Sequence, residues 1–209
     1  MIPQLAKAVG KQLADLGFQQ SKFDVAMRSC DAPSQSVAAT PSSREKKNGD
    51  EASPLLSATR ASQLRSGLDE IEFQFAPNPG EPAKPLRAIA SSGEMARVML
   101  ALKTVLAAED EIPVLIFDEV DANVGGETAN AVGEKMKQIA AKRQVLCITH
   151  LPQVAAPADA HYVVTKQIRD GRTISEIALL TKKERVTELA RMLGGQTDAA
   201  RKHAEALLK

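Results

Sequence analysis

The most constraining feature of this sequence is a short apolar run that ends in two adjacent carboxylates. It occupies residues 113–121 and reads Pro-Val-Leu-Ile-Phe-Asp-Glu-Val-Asp. An apolar run of this length, bounded by Pro113 and Asp118, predicts a strand buried on both faces, as in the middle of a parallel sheet. Ligands of open α/β sheets bind at the carboxyl ends of the strands, so Asp118 and Glu119 are expected at a binding site. The alternative is a strand end with two solvated acids.

The two carboxylates suit the chemistry of a nucleotide site. Mg²⁺ prefers oxygen ligands and is usually held through one or two carboxylates plus phosphate, a role that fits Asp118. The neighbouring carboxylate, Glu119, can orient and deprotonate a water that attacks phosphorus.

A helix start with anion-binding character precedes this strand. Ser91 and Glu94 have the spacing of a capping box, and a heavily apolar stretch follows, so Ser91 is the predicted N-cap. The first amides of a helix are unpaired and lie at the positive end of its dipole, and Ser92 and Gly93 let a phosphate approach them closely. The alternative is an ordinary capped helix.

A second apolar strand is predicted at residues 145–149, and His150 follows at its carboxyl end. A histidine there can hydrogen-bond a γ-phosphate or the attacking water, as a sensor more than as the principal base. A lone histidine is more often structural, but its place one strand after Asp118 and Glu119 favours the functional interpretation. Between the strands, Asp121 begins a glycine-bearing turn, which it can cap, into a helix that runs to about Lys142.

Three motifs in this order resemble the ATP-binding-cassette heads of the SMC-like ATPases, and among these the bacterial RecN family of DNA-repair proteins. They are the signature helix at 90–103, the acidic strand at 113–127 and the histidine strand at 144–155. The resemblance covers roughly residues 68–208. It implies an α/β fold, the carboxyl-terminal lobe of an ABC/SMC-type P-loop NTPase head, with a mostly parallel sheet flanked by helices and a small β-hairpin region.

The resemblance also implies ATP and Mg²⁺ as cofactors. In the family, the signature, here Ser91, Ser92, Gly93 and Glu94, grips the γ-phosphate of ATP bound to the opposite head, which implies a head-to-head homodimer. Asp121 matches the D-loop, which lies across that dimer interface. Ser92 stands where the family has glycine, and this departure is expected to weaken the close approach of phosphate.

The phosphate-binding loop of such a head is missing from the sequence. No G-x-x-x-x-G-K-[ST] motif occurs, and in the family this loop lies in an amino-terminal lobe. ATPase activity is therefore expected only when that lobe is supplied. The alternative is a non-catalytic lobe that binds a partner head or DNA. A metal-dependent phosphohydrolase is disfavoured because the sequence shows no further cluster of metal ligands.

Composition and charge restrict the function classes further. The 27 basic residues nearly balance the 26 acidic ones, so the chain lacks the positive field of a dedicated nucleic-acid-binding domain, and DNA contact is expected only through the complete protein. No apolar run has the length of a membrane span, and the two cysteines fit no metal-binding spacing. Together with the resemblance, this places the protein in the bacterial cytoplasm, associated with the nucleoid.

The chain divides into three predicted regions. Residues 1–17 form a helix with one apolar stripe, Leu5, Val9, Leu13 and Leu16, which the resemblance interprets as the stub of a coiled-coil arm and which is otherwise a plain surface helix. Residues 31–66 are rich in Pro, Ser and charge and are expected to be a disordered insertion. Residues 18–30 and 67–209 form the carboxyl-terminal lobe of the head.

Alternating and helical patterns predict the remaining elements. Strands are expected at 22–30 and 68–75 and should pair with each other. A hairpin is expected at 160–181, with its turn at Asp170-Gly171. Two helices, near 183–193 and 197–208, are separated by Gly194-Gly195.

Overall fold

The computed structural model describes residues 2–29, 69–89, 91–169 and 171–209, so the predicted insertion at 31–66 lies outside the described residues. The α-helices are α1 Ile2–Asp15, α2 Ser92–Val105, α3 Gly126–Ala140, α4 Pro152–Ala155, α5 Lys182–Met192 and α6 Asp198–Leu207, with a 3-10 helix at Leu86–Ala88. The strands are β1 Lys22–Ser29, β2 Asp69–Ala76, β3 Lys84–Pro85, β4 Val114–Phe117, β5 Gln144–Cys147, β6 Tyr162–Arg169 and β7 Arg172–Leu179. The predicted α/β class and the β-hairpin are confirmed.

The amino-terminal part is a helix packed on an antiparallel sheet. The predicted stripe of α1 is confirmed, since Val9, Leu13 and Leu16 are fully buried. β1 pairs with β2 over its whole length, as expected from the alternation, and β3 extends the sheet. Phe18 and Phe75 meet edge to face, with their ring centroids 5.3 Å apart, and fix the helix to the sheet.

Parallel pairing among the described residues joins β4 to β5, in the register Val114–Gln144 through Phe117–Cys147. The prediction that the acidic strand is buried on both faces is wrong for this chain. Leu115 and Phe117 are buried, whereas Val114 and Ile116 on the opposite face are exposed. β5 follows the same alternation. The helices of this chain cover one face of the pair, and the residues described here supply no layer for the other.

The main core lies between α1, the antiparallel sheet, α2, α3 and the covered face of β4 and β5. Its fully buried side chains include Val98 and Leu100 of α2, Val120 after β4, and Val132 of α3. This core is distant along the sequence but contiguous in space, and it joins the signature helix, the acidic strand and the histidine strand into one unit.

The carboxyl-terminal part has its own small core. Leu189, Ala190 and Ala204 of the helix pair α5 and α6 are fully buried against Ala155 and Ala156 at the end of α4. β6 and β7 form the expected hairpin, which is exposed along nearly its whole length. Among the described residues, no helix combines the length and the apolar character needed to cross a membrane.

Candidate active site

The parallel register brings the ends of two strands to the same edge of the sheet. Phe117 is paired with Cys147, and the amide of Ile148 donates to the carbonyl of Phe117 at 3.0 Å, which continues the ladder by one residue. The chain segments that follow, Asp118-Glu119 and Thr149-His150, therefore lie side by side. Asp118 and Glu119 are both exposed there, where a ligand can reach them.

The turn after β4 has an unusual backbone. Glu119 has φ 58°, the left-handed region that non-glycine residues seldom adopt. Its carbonyl accepts a hydrogen bond from the amide of Ala122 at 3.0 Å, which closes the turn. A residue in this conformation costs on the order of 1 to 2 kcal/mol, and such costs persist mainly at functional sites. The acidic pair is therefore held on a tight, strained turn and not on a mobile loop.

The start of the signature helix packs directly on this turn. Ser91 is the N-cap, as predicted, and its hydroxyl accepts a hydrogen bond from the amide of Glu94 at 3.4 Å. Gly93 is buried, and a methyl group placed on it would lie 2.9 Å from Ala122 Cβ and 3.2 Å from the carbonyl oxygen of Glu119. The glycine at this position is thus required by the packing of helix on turn, while Ser92 beside it is exposed.

Arg97 is a residue whose role the sequence did not reveal. It is buried on α2, its Nη1 donates to the carbonyl of Ala122 at 2.9 Å, and its guanidinium lies 5.1 Å from the ring centroid of Phe18. Burial lowers the pKa of Arg97, and the nearby charge of Glu94 opposes this effect. Arg97 stands one helical turn after Gly93 on the same buried face, which is the sequence signal that could have identified it.

Asp121 joins the turn to the histidine segment. It is 3% exposed, and its Oδ2 accepts hydrogen bonds from the hydroxyl of Thr149 and from the amide of His150, the latter at 3.1 Å. The ring Nδ1 of His150 lies 3.3 Å from the same oxygen, and the His150 side chain is 72% exposed. The carboxylate of Asp121 is therefore directed into this chain, towards the histidine, and Thr149 is a further site residue that the sequence did not single out.

The site carries negative charge. Burial raises the pKa of the Cys147 thiol to about 12, and the charges of Asp121 and Asp118 add to the effect. Within the described ranges, no group of three His, Cys, Asp or Glu side chains could hold a metal ion. Asp118 can thus supply one carboxylate ligand, and a Mg²⁺ ion would take its other oxygens from phosphate and water, which is the usual arrangement at nucleotide sites.

Comparison with known proteins identifies the relatives of this chain. It is 38% identical over 208 residues to the DNA repair protein RecN of Bacillus subtilis (strain 168), and the match covers 99% of this chain and 34% of that protein. The chain resembles the carboxyl-terminal portion of RecN. RecN of Deinococcus radiodurans is 52% identical over 143 residues, which cover 68% of this chain and 25% of that protein. The chain thus spans about a quarter to a third of the length of these RecN relatives.

The fold agrees with this resemblance to RecN. The chain is similar to the Smc head domain with a coiled coil and joint from Pyrococcus yayanosii, with a TM-score of 0.52 and 20% identity over 98% of this chain and 29% of that one. At this identity the likeness establishes the fold alone, that of an SMC-type head. No protein-family model matches the chain.

Proposed function

We propose that this chain is the carboxyl-terminal lobe of an ATP-binding and ATP-hydrolysing head in a RecN-like protein of DNA double-strand-break repair and recombination. The observation that carries the proposal is the convergence of three sequence-distant motifs at one edge of the β4–β5 sheet. The start of α2, the acidic pair Asp118-Glu119 and His150 are fixed together by the contacts of Gly93 and Asp121.

Each of the convergent groups has a role in this proposal. Asp118 holds Mg²⁺ together with the phosphates of ATP, and the metal neutralises the charge that develops on the phosphoryl group. Glu119 orients and deprotonates the attacking water. His150 contacts that water or the γ-phosphate. The strained conformation of Glu119 supports a catalytic use of this turn, because a purely structural turn has no need of it.

The amino-terminal end of α2 is the proposed phosphate contact. Ser91, Ser92, Gly93 and Glu94 contribute their backbone amides and the positive end of the helix dipole. Part of this end is already engaged, since the Glu94 amide is bound by the Ser91 hydroxyl and Gly93 packs on the turn. The exposed Ser92 is thus the freest position for contact with the γ-phosphate of ATP on a second head.

The uncovered face of the sheet supports the requirement for a second lobe. Ile116 is 69% exposed and Ile148 is 63% exposed, beside the exposed Val114 and Leu146. Parallel strands are almost always covered on both faces, because βαβ connections place helices there. A complementary lobe that brings the absent G-x-x-x-x-G-K-[ST] loop would cover this face and complete the nucleotide site. In the complete protein we place head-to-head dimerisation, DNA contact and a nucleoid-associated location in the bacterial cytoplasm.

The proposal is tested by two substitutions in a complete head, formed by the full-length parent or by this chain combined with a P-loop lobe. Glu119→Gln keeps the shape of the site but removes the proton acceptor, so hydrolysis should fall by about two to four orders of magnitude while ATP binding survives. ATP should then hold two heads together, which sedimentation would show. Asp118→Asn should instead weaken Mg²⁺-dependent ATP binding, because it removes a metal ligand.

A second candidate function is a non-catalytic interaction lobe, favoured by the absence of the phosphate-binding loop from the sequence. On this alternative, the exposed sheet face binds a partner head and the lobe hydrolyses nothing. A Glu119→Gln head that hydrolyses ATP at the parental rate, or that dimerises no better with ATP than without it, would contradict the catalytic proposal and support this alternative.

A further inference from the structure

The segment that carries His150 is built on one buried carboxylate oxygen. Oδ2 of Asp121 accepts from the Thr149 hydroxyl and the His150 amide, and the Thr149 hydroxyl in turn accepts from the amide of Leu151 at 3.0 Å. Two consecutive amides and one hydroxyl are thus satisfied through this single side chain. The backbone on both sides of the imidazole is fixed by Asp121, which is 28 and 29 residues away in the sequence.

The same oxygen decides where the imidazole carries its hydrogen. Nδ1 of His150 lies 3.3 Å from Oδ2 of Asp121. An ionised carboxylate can only accept hydrogen bonds, and a bare Nδ1 would direct its lone pair at those of the oxygen. The contact is favourable only when Nδ1 is protonated. In the neutral ring Nε2 is then the acceptor, at the end of a side chain that is largely exposed.

We infer that Asp121 is a positioning residue that holds His150 in the Nδ1–H tautomer, with Nε2 free to accept a hydrogen bond from the attacking water. This inference rests on the proposed function for its water, but not for the tautomer. In this tautomer, neutral His150 cannot donate to a phosphate oxygen through Nε2, so it orients the water and leaves the phosphate to the start of α2. The Asp121 carboxylate acts within its own head and not across a dimer interface.

The tautomer is measurable on this chain without nucleotide. Ring ¹⁵N chemical shifts in protein labelled at histidine distinguish a protonated from a bare nitrogen, and His150→Gln assigns the signals among His150, His161 and His203. We expect Nδ1 of His150 to be protonated and Nε2 bare when the ring is neutral. Asp121→Ala should shift the equilibrium to the Nε2–H tautomer that neutral imidazole favours in water.

Asp110→Ala is the matched control, since Asp110 is a largely buried carboxylate with cationic partners, Lys103 and Arg143, and no contact with His150. It should leave the His150 tautomer unchanged. A parental His150 in the Nε2–H form overturns the inference even if every variant unfolds. An unchanged tautomer in Asp121→Ala, or an equal change in Asp110→Ala, overturns it as well.

Kinetics in a complete head separate this inference from the proposed function. Asp121→Ala should lower kcat by about 10- to 100-fold, as for other residues that orient a catalytic group, and leave KM for ATP nearly unchanged. Adding it to His150→Gln should cause no further loss. If the two losses multiply, Asp121 does not act through His150, whereas the proposed function fails only if Glu119→Gln retains the parental rate.

Discussion

The contact between Gly93 and the turn after the acidic strand gives a sharp test of the site geometry. A methyl group on Gly93 would lie 2.9 Å from Ala122 Cβ, 3.2 Å from the Glu119 carbonyl oxygen and 3.4 Å from that of Ala122. The first distance is shorter than carbon atoms tolerate, and none of the three atoms belongs to a flexible side chain. Gly93→Ala must therefore push α2 away from the turn that carries Glu119.

Two opposing effects set the size of the loss. Overpacking of a tight contact costs about 1 to 3 kcal/mol. Replacing glycine by alanine within a helix returns up to about 1 kcal/mol, and less in the first turn. The expected net loss is about 1 to 2 kcal/mol of unfolding free energy, or about 2 to 8 °C in melting temperature for a chain of this length.

Thermal and urea unfolding of the chain, followed by circular dichroism, measures this loss. Gly10→Ala is the matched control, because Gly10 lies inside α1 and an added methyl group would have nothing within 4 Å. The control should gain about 0.5 to 1 kcal/mol from helix propensity. Adding Ala122→Gly to Gly93→Ala should recover part of the loss, since it removes the nearest atom but leaves the two carbonyl oxygens. If Gly93→Ala is as stable as Gly10→Ala, the close packing of α2 on the turn is wrong.

Three further predictions follow from the site. Calorimetry should show that the isolated chain binds ATP weakly or not at all, since it lacks the phosphate-binding loop, and tight binding would contradict the two-lobe proposal. Arg97→Met should cost about 2 to 4 kcal/mol in urea unfolding, because it removes a charged hydrogen bond to Ala122 and the contact with Phe18; a loss under about 1 kcal/mol would refute this. In a Cys30→Ser background, Cys147 should be alkylated at pH 8 at least about tenfold more slowly in the folded than in the urea-unfolded chain. Because its pKa is raised from 9.0 to about 12, its contribution to stability is complete below pH 9 and is lost as the pH rises towards 12.

Much of the local structure was predictable because it depends on residues close in sequence. The stripe of α1, the Ser91 cap and the pairing of β1 with β2 follow from periodicity and from side chains a few residues apart. The order of the three motifs also predicted that Asp118, Glu119 and His150 belong to one site, since parallel strands end at a common edge.

Tertiary structure alone decided how these residues are used. The uniform apolar run of β4 has no alternation, so its sequence cannot show that Ile116 lies on a face this chain leaves uncovered. Arg97 and Asp121 owe their roles to partners 25 to 29 residues away, Ala122, Thr149 and His150. Such contacts are fixed by the packing of α2 on the turn and by the left-handed backbone at Glu119, and no local pattern encodes them.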